Sequence, residues 1–205
     1  MESLINKISE YEVLNNFFPG IIFCYLVNRF TPFNISSGNE FVNLFVYYFV
    51  GLIIGRLGSI ILEPIFYHGD QPTNEDFEKI IAGEEYKPKN KPFVLRTPGK
   101  YYYAAEKTDK TIPTLNSKNN MYRSFIALFI CFLLVKVYSI TLYRYCKVSN
   151  LVLLLAGSAA LVILFIFSFK KQTDYIMKRC ISEIKRQRKE AEEKGADTVE
   201  KKDKE

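Results

Sequence analysis

The sequence predicts an all-α membrane protein with four transmembrane helices, a small cytoplasmic loop cap and a C-terminal cytoplasmic helix. Three observations support this class. Apolar residues are 48% of the 205 residues, but they lie in separate runs, and most charged residues lie between those runs. A run of roughly 20 apolar residues is long enough to cross the hydrocarbon core of a bilayer. The connecting segments also differ strongly in positive charge, which is typical of membrane proteins.

Residues 1–66 are predicted to form a first transmembrane hairpin, with spans at about 13–30 and 41–62. The first span has a continuous apolar core only over residues 17–27, and Pro19-Gly20 interrupts it. A run this short is also compatible with a re-entrant or interfacial segment. We expect a full crossing, because proline is tolerated in the first turn of a helix.

The second span lies between Glu40 and Glu63 and contains Arg56. A central Arg opposes insertion by about 2.5–3.5 kcal/mol, whereas each Leu, Ile, Phe or Val favours it by about 0.3–0.6 kcal/mol. The many apolar residues of this segment can therefore offset one charge, and residues 41–62 are predicted to cross the membrane.

Residues 122–169 are predicted to form a second hairpin, with spans at about 124–143 and 151–169. The third span contains one charge, Lys136, and the fourth contains none. Lys170-Lys171 directly follow the fourth span, as expected at a cytoplasmic membrane edge.

The predicted cytoplasmic loop, residues 67–121, opens with a short helix that ends near Ala82-Gly83. Four prolines follow at a density that disfavours long helices. Val94 and the run Tyr101-Tyr102-Tyr103 are expected to be extended, with a hairpin as one possibility. The loop therefore predicts a structured cap rather than an independent domain.

The C-terminal segment, residues 170–205, is predicted to form a basic helix over residues 172–194. Its apolar residues recur at three- and four-residue spacing, as in an amphipathic helix. Gly195 is the expected stop, and the charged residues 196–205 are expected to be disordered.

Positive charge sets the expected orientation. With four crossings, 23 Lys and Arg residues lie on one side of the membrane and 3 on the other. The positive-inside rule then places both termini and residues 67–121 in the cytoplasm. The expected location is a bacterial cytoplasmic membrane.

Ionisable residues at membrane depth are the first candidates for function, because charge in hydrocarbon is unfavourable. Arg56 and Lys136 are these residues, and Glu63 and Glu12 are candidate partners of Arg56. One interpretation is snorkelling or a structural ion pair, and the other is a role in a pore or substrate path.

Small residues at four-residue spacing indicate helix-packing faces, since they let helix backbones approach closely. They are Gly51, Gly55 and Ser59 on the second span, and Ala156 and Ala160 on the fourth. Packing within one subunit and packing between subunits of a homo-oligomer both remain open.

Basic residues follow the fourth span, where they can contact anionic lipid or an acidic protein. Direct binding of nucleic acid is the less favoured interpretation. The residues are Lys170, Lys171, Lys178, Arg179, Lys185, Arg186, Arg188 and Lys189.

No motif predicts catalysis, a metal site or a cofactor. The four cysteines form no CxxC pair, and His68 is the only histidine. A zinc site and a disulfide framework are therefore not expected, and neither is a nucleophilic Ser/His/Asp or Cys/His site.

Four short stretches lie at the ends of the predicted spans: Asn15-Asn16-Phe17-Phe18-Pro19-Gly20, Gly55-Arg56-Leu57-Gly58-Ser59, Glu63-Pro64 and Asn119-Asn120-Met121-Tyr122-Arg123. In these stretches and in its overall layout, the chain resembles small bacterial four-span proteins encoded beside anti-phage systems. The resemblance is to the membrane subunit of the Kiwa system and to the membrane accessory proteins of Cas13b CRISPR loci. It implies a homo-oligomeric inner-membrane sensor, anchor or effector with a cytoplasmic protein partner.

The leading hypothesis is a non-enzymatic membrane component that oligomerises and engages a cytoplasmic partner. A small channel or transporter with Arg56 on its conduction path is the alternative. A membrane enzyme ranks third, since only Glu12, Glu63, His68 and Asp70 could converge at the cytoplasmic rim.

Overall fold

The computed structural model describes residues 12–66, 73–85, 97–145 and 151–202, with side chains up to Glu193 except those of Glu63 and Phe66. Every regular element in these residues is helical. Two π-helical turns, Val13–Phe17 and Gly58–Leu62, adjoin α-helices without a break. The α-helices are α1 Phe18–Phe30, α2 Glu40–Leu57, α3 Glu63–Phe66, α4 Asn74–Ala82, α5 Gly99–Thr108, α6 Thr111–Tyr143 and α7 Leu151–Lys202.

Three helical segments are long and apolar enough to cross a membrane. They are Glu40–Leu62, Thr111–Tyr143 and Leu151–Glu193. Each contains one of the predicted spans 41–62, 124–143 and 151–169. The segment predicted as the first span, residues 13–30, is also continuously helical, but it is not among those three.

The chain divides into two compact units. The first unit comprises Met1–Ile65 and Ser117–Lys170, and the second comprises Phe66–Asn116 and Lys171–Glu205. Each is described below by itself.

The first unit is organised by a close crossing of α1 and α2. A Cβ atom at Gly51 would overlap the backbone oxygen of Asn16, and one at Gly20 would overlap the backbone oxygen of Tyr47. Glycine is required at such a contact because any side chain would separate the two backbones. The residues between α1 and α2 are also ordered by side-chain bonds, since Asn28 Oδ1 accepts from the backbone N–H of Ile35 at 2.8 Å.

Within the first unit, the apolar part of α7 packs on α6 through aromatic stacking. The ring of Phe165 lies 5.0 Å from that of Phe125 and 6.1 Å from that of Phe129, with nearly parallel planes in both pairs. Only 6% of the most apolar stretch of this helix is buried, against 39% for α6. Most of the apolar surface of α7 is therefore available to lipid or to another chain.

The second unit has a hydrophobic core of its own, built from α4, α5, the start of α6 and the polar part of α7. Phe77 and Tyr101 stack at 4.4 Å between ring centroids. The unit is thus a small helical bundle with a buried core of its own. Its core residues are Phe77, Ile81, Tyr101, Ala105, Ile112, Ile176, Cys180 and Ile184.

Helix α4 ends where the sequence predicts, near Ala82-Gly83. Thr73 and Asp76 form a reciprocal capping box at its start, and Gly83 ends it in the left-handed conformation with φ 90°. These are the two most favourable local signals for helix ends.

The expectation of extended structure at Tyr101-Tyr102-Tyr103 is wrong, because these residues lie inside α5. Aromatic residues favour strands only when a sheet is present to pack against. Here Tyr101 is buried against Phe77 instead. Val94, the other residue expected to be extended, lies outside the described residues.

The boundaries of the two longest helices also differ from those predicted. Helix α6 begins at Thr111 rather than at Ser124, and it accepts Pro113 because the first turn needs no N–H at that position. Helix α7 continues through Gly195 to Lys202, so the predicted stop and the predicted disorder of residues 196–202 are both wrong. A single glycine lowers helix propensity by about 1 kcal/mol, which does not by itself end a helix.

An ion pair joins α7 to the junction between α5 and α6. Arg179 and Thr111 donate to the carboxylate of Asp109, and these bonds hold the pKa of that carboxyl well below its usual value. A carboxylate with a lowered pKa stabilises the fold above its unfolded pKa and ceases to do so when acid protonates it. The link therefore persists at neutral pH.

The α1–α2 crossing predicts that Gly51→Ala lowers the free energy of unfolding in detergent by about 1–3 kcal/mol through overpacking. Gly157→Ala is the matched control, since a Cβ atom at Gly157 meets nothing within 4 Å. The control should be neutral or slightly stabilising, because alanine favours a helix over glycine by about 0.5–1 kcal/mol. Equal stability of the two variants would contradict the crossing.

Candidate functional site

A polar cavity of about 280 Å³ lies in the first unit, between residues that are far apart in the sequence. It is lined by the π-helical turn before α1, by one face of α2 and the π-helical turn after it, and by α6 close to where the apolar part of that helix begins. The described lining residues are Asn15, Asn16, Tyr48, Leu52, Gly55, Arg56, Ser59, Asn120, Arg123 and Ser124.

Both π-helical turns contribute to this cavity. Asn15 and Asn16 lie in the turn that precedes α1, and Ser59 lies in the turn that follows α2. A π-helical turn inserts an extra residue into a helix and is frequent at functional sites. Asn15 is only 3% exposed, and its Nδ2 donates to Ser117 Oγ at 3.2 Å. The turn before α1 is thereby fixed against α6.

The described lining of the cavity is rich in hydrogen-bond donors and contains two cations. Arg56 and Arg123 supply guanidinium groups, and the asparagine amides and serine hydroxyls supply further N–H and O–H donors. No Asp or Glu is present among the described lining residues. The arrangement suits an anion with several oxygen acceptors.

Arg56 lies at the edge of this cavity. Its side chain is exposed and forms no ion pair with a described side chain. Glu12 is half-buried and is not among the described residues that line the cavity. The side chain of Glu63 is not among those that the structure describes. The structure describes no pair between Arg56 and Glu12, and the pairing of Arg56 with Glu63 stays a prediction.

Lys136 lies away from the cavity and is completely buried. Its Nζ donates to the backbone oxygen of Phe30 at 2.7 Å and to that of Tyr145 at 3.4 Å. The ammonium also lies 5.3 Å from the centre of the Tyr145 ring, within cation–π range. A cation placed on the carbonyl end of a helix is favoured by the helix dipole.

The chain turns sharply to bring Tyr145 to Lys136. Arg144 adopts a left-handed conformation with φ 46°, and the N–H of Tyr145 donates back to Ser139 O at 3.3 Å. Lys136 thus links the carbonyl end of α1 to the turn that follows α6. Neither the snorkelling nor the pore interpretation of the sequence included this arrangement.

The small residues have two different surroundings. Gly51 contacts the backbone of α1, and a Cβ atom at Gly55 would lie 3.5 Å from Ser124 Oγ, while Ser59 lines the cavity. Ala156 and Ala160 are exposed. The α2 residues therefore pack within one chain, and the α7 residues leave space for another.

The basic residues of α7 also fall into two groups. Arg179 binds Asp109 and Arg188 binds Glu78, so these two arginines join α7 to other segments of the second unit. Arg186 binds Glu183 of its own helix at 2.7 Å. Lys178 and Lys189 pair with acids along their own helix. Lys170 lies over the ring of Phe167. Lys171 and Lys185 are exposed and form no ion pair with a described side chain.

Several cavity residues were not predicted as site residues: Asn15, Asn16, Asn120, Arg123 and Ser124. A signal for them exists in the sequence, because polar amides interrupt or border the apolar runs. Three of the stretches that carry the resemblance, those around residues 15–20, 55–59 and 119–123, each contribute to the cavity.

No family model matches the chain, and no curated protein or solved structure shows a match to it.

The carbonyl contacts of Lys136 predict that Lys136→Met destabilises the first unit by about 1–3 kcal/mol, since it leaves buried acceptors without their donor. Lys118→Met is the matched control, because Lys118 is an exposed lysine on the same helix. An exposed substitution should change the free energy of unfolding by less than about 0.5 kcal/mol. Chemical unfolding in detergent measures both, and a Lys136→Met variant as stable as the control would exclude the capping role.

Proposed function

We propose that the chain is a non-enzymatic, four-span component of a bacterial cytoplasmic membrane that engages a cytoplasmic protein through its second unit. The main support for this proposal is the division of the chain into two compact units. One unit contains the apolar helices, and the other is a polar bundle with its own buried core.

The contacts of α1 with α6 support a fourth crossing. The two helices meet at Asn15 and Ser117 and again at Phe30 and Lys136. Between these contacts α6 rises by about 28 Å, and the helical segment from Asn15 to Phe30 rises by about 22 Å, at 1.5 Å per residue. The hydrocarbon core is roughly 30 Å thick, so this segment runs beside α6 over most of that thickness.

Positive charge supports a cytoplasmic location for the second unit and for both termini. The segments assigned to the cytoplasm carry 23 of the Lys and Arg residues, against 3 in the short outer connections. The exposed lysines of α7, Lys171 and Lys185, are then available to anionic lipid headgroups or to an acidic protein.

The exposed apolar surface of α7 supports assembly into a homo-oligomer. Ala156 and Ala160 lie on that surface, and small residues let helices of neighbouring subunits approach closely. The resemblance to membrane proteins of anti-phage loci supports a role as a sensor, anchor or effector in defence. Rearrangement of the helices would then be the response to the partner.

A small channel or transporter is the second candidate. The polar cavity favours it, because Arg56 and Arg123 line a space between helices that could form part of a conduction path. A positively charged lining would favour anions.

Co-purification from a native host at native expression levels tests the leading proposal. Lys185→Glu with Lys189→Glu should reduce recovery of the cytoplasmic partner by about tenfold, since reversed charges at an interface weaken association. The matched control reverses two exposed charges elsewhere, Lys110→Glu with Lys118→Glu. The proposal would be contradicted if no partner is recovered with the wild type or with either variant, or if both variants reduce the recovery of the partner equally.

Flux through proteoliposomes separates the two candidates. Anion flux in the absence of any other protein, abolished by Arg56→Ala and retained by Arg29→Ala, would favour the channel.

A further inference from the structure

Arg56 lies between the polar cavity and an exposed apolar strip formed by α2 and the π-helical turn after it. Ile53 lies three residues before Arg56 in α2, and Ile60 lies four residues after it in the π-helical turn, so both neighbour Arg56 along one side of the helix. They are 54% and 70% exposed. In a bilayer this strip faces acyl chains, while the same turn of helix presents Arg56 and Ser59 to the cavity.

Part of the cavity lining lies near the ends of the spans that are assigned above to the cytoplasmic face. Asn15 and Asn16 precede α1, Ser59 follows α2, and Asn120 precedes the apolar part of α6. Tyr48 and Leu52 line the cavity deeper in α2, and Arg56 lies six residues, or roughly 9 Å, before Leu62. Because a long arginine side chain can extend toward the membrane surface, a phospholipid whose tails lie along Ile53 and Ile60 can bring its phosphate to Arg56.

We propose that this cavity binds the phosphate group of an anionic phospholipid. Arg56 would bind the phosphate oxygens through its planar guanidinium fork, which matches phosphate geometry. The amide of Asn16 lines the same space and adds an N–H donor. Binding of this phospholipid would make the first unit sensitive to the lipid composition of the inner leaflet.

The volume of the cavity limits the ligand. At about 280 Å³ it lies at the lower end of small-molecule sites, which are typically about 300–1,000 Å³. It accommodates a headgroup rather than a large soluble substrate. Free inorganic phosphate presents the same oxygen atoms and is the other possible source of the ligand.

Lipid binding to the full-length, delipidated protein tests the proposal. Native mass spectrometry with phosphatidylglycerol and phosphatidylcholine should show preferential binding of the anionic lipid. Arg56→Gln should weaken phosphatidylglycerol binding by about tenfold or more, the loss expected for a hydrogen-bonded charged group. Arg56→Lys should retain only part of the phosphatidylglycerol binding, because an ammonium keeps the charge but lacks the planar guanidinium fork.

Arg29→Gln is the matched control, since Arg29 is an exposed arginine at the far end of α1. It should bind phosphatidylglycerol as the wild type does. In a parallel measurement, inorganic phosphate should raise the unfolding temperature of the lipid-free wild type but not of Arg56→Gln if free phosphate is the source. Either ligand, if sensitive to Arg56, supports the phosphate site.

The proposal is overturned if folded Arg56→Gln binds phosphatidylglycerol and inorganic phosphate as the wild type does, or if the wild type binds neither. The inference rests on the proposed membrane location, but its test requires no cytoplasmic partner. Failure to capture a partner and failure to bind phosphate are therefore distinguishable results.

Discussion

The backbones of α1 and α2 touch where Gly20 and Gly51 face each other, and the rest of the first unit depends on this contact. No other residue type fits there, because a single methyl group would overlap a backbone oxygen. Apolar side chains alone give little preference for one helix neighbour over lipid, so close backbone packing is what orders such a pair. The contact also brings Asn16 beside α2, which creates one wall of the polar cavity.

A second constraint acts at the ends of α1. Terminal carbonyl groups of a helix have no partner within that helix, and an unsatisfied polar group in hydrocarbon costs several kcal/mol. Lys136 donates to the backbone oxygen of Phe30 at the C-terminal end of α1. Before the other end, the side-chain bond from Asn15 Nδ2 to Ser117 Oγ holds the π-helical turn against α6. A buried charge that is unfavourable in isolation thus becomes a link between helices, because its acceptors are fixed in place.

The sequence was sufficient for the apolar helices and for helix α4, since both depend on local signals. Runs of apolar residues identify the segments around 41–62, 124–143 and 151–169, and Thr73, Asp76 and Gly83 mark the ends of α4. It was insufficient where tertiary packing decides. Tyr101 is helical because it packs on Phe77. The cavity combines residues from three helices, and no local pattern states which polar residues will meet.

The crossing of α1 is tested most directly by labelling single cysteines with a membrane-impermeant maleimide in intact cells, in a chain whose four native cysteines are replaced. Glu12→Cys and Ser37→Cys lie at the two ends of α1. Ser37→Cys should be labelled from outside, and Glu12→Cys only after the membrane is permeabilised, as should Ser182→Cys in the second unit. Labelling of both Glu12→Cys and Ser37→Cys in intact cells would contradict the crossing and with it the four-span architecture.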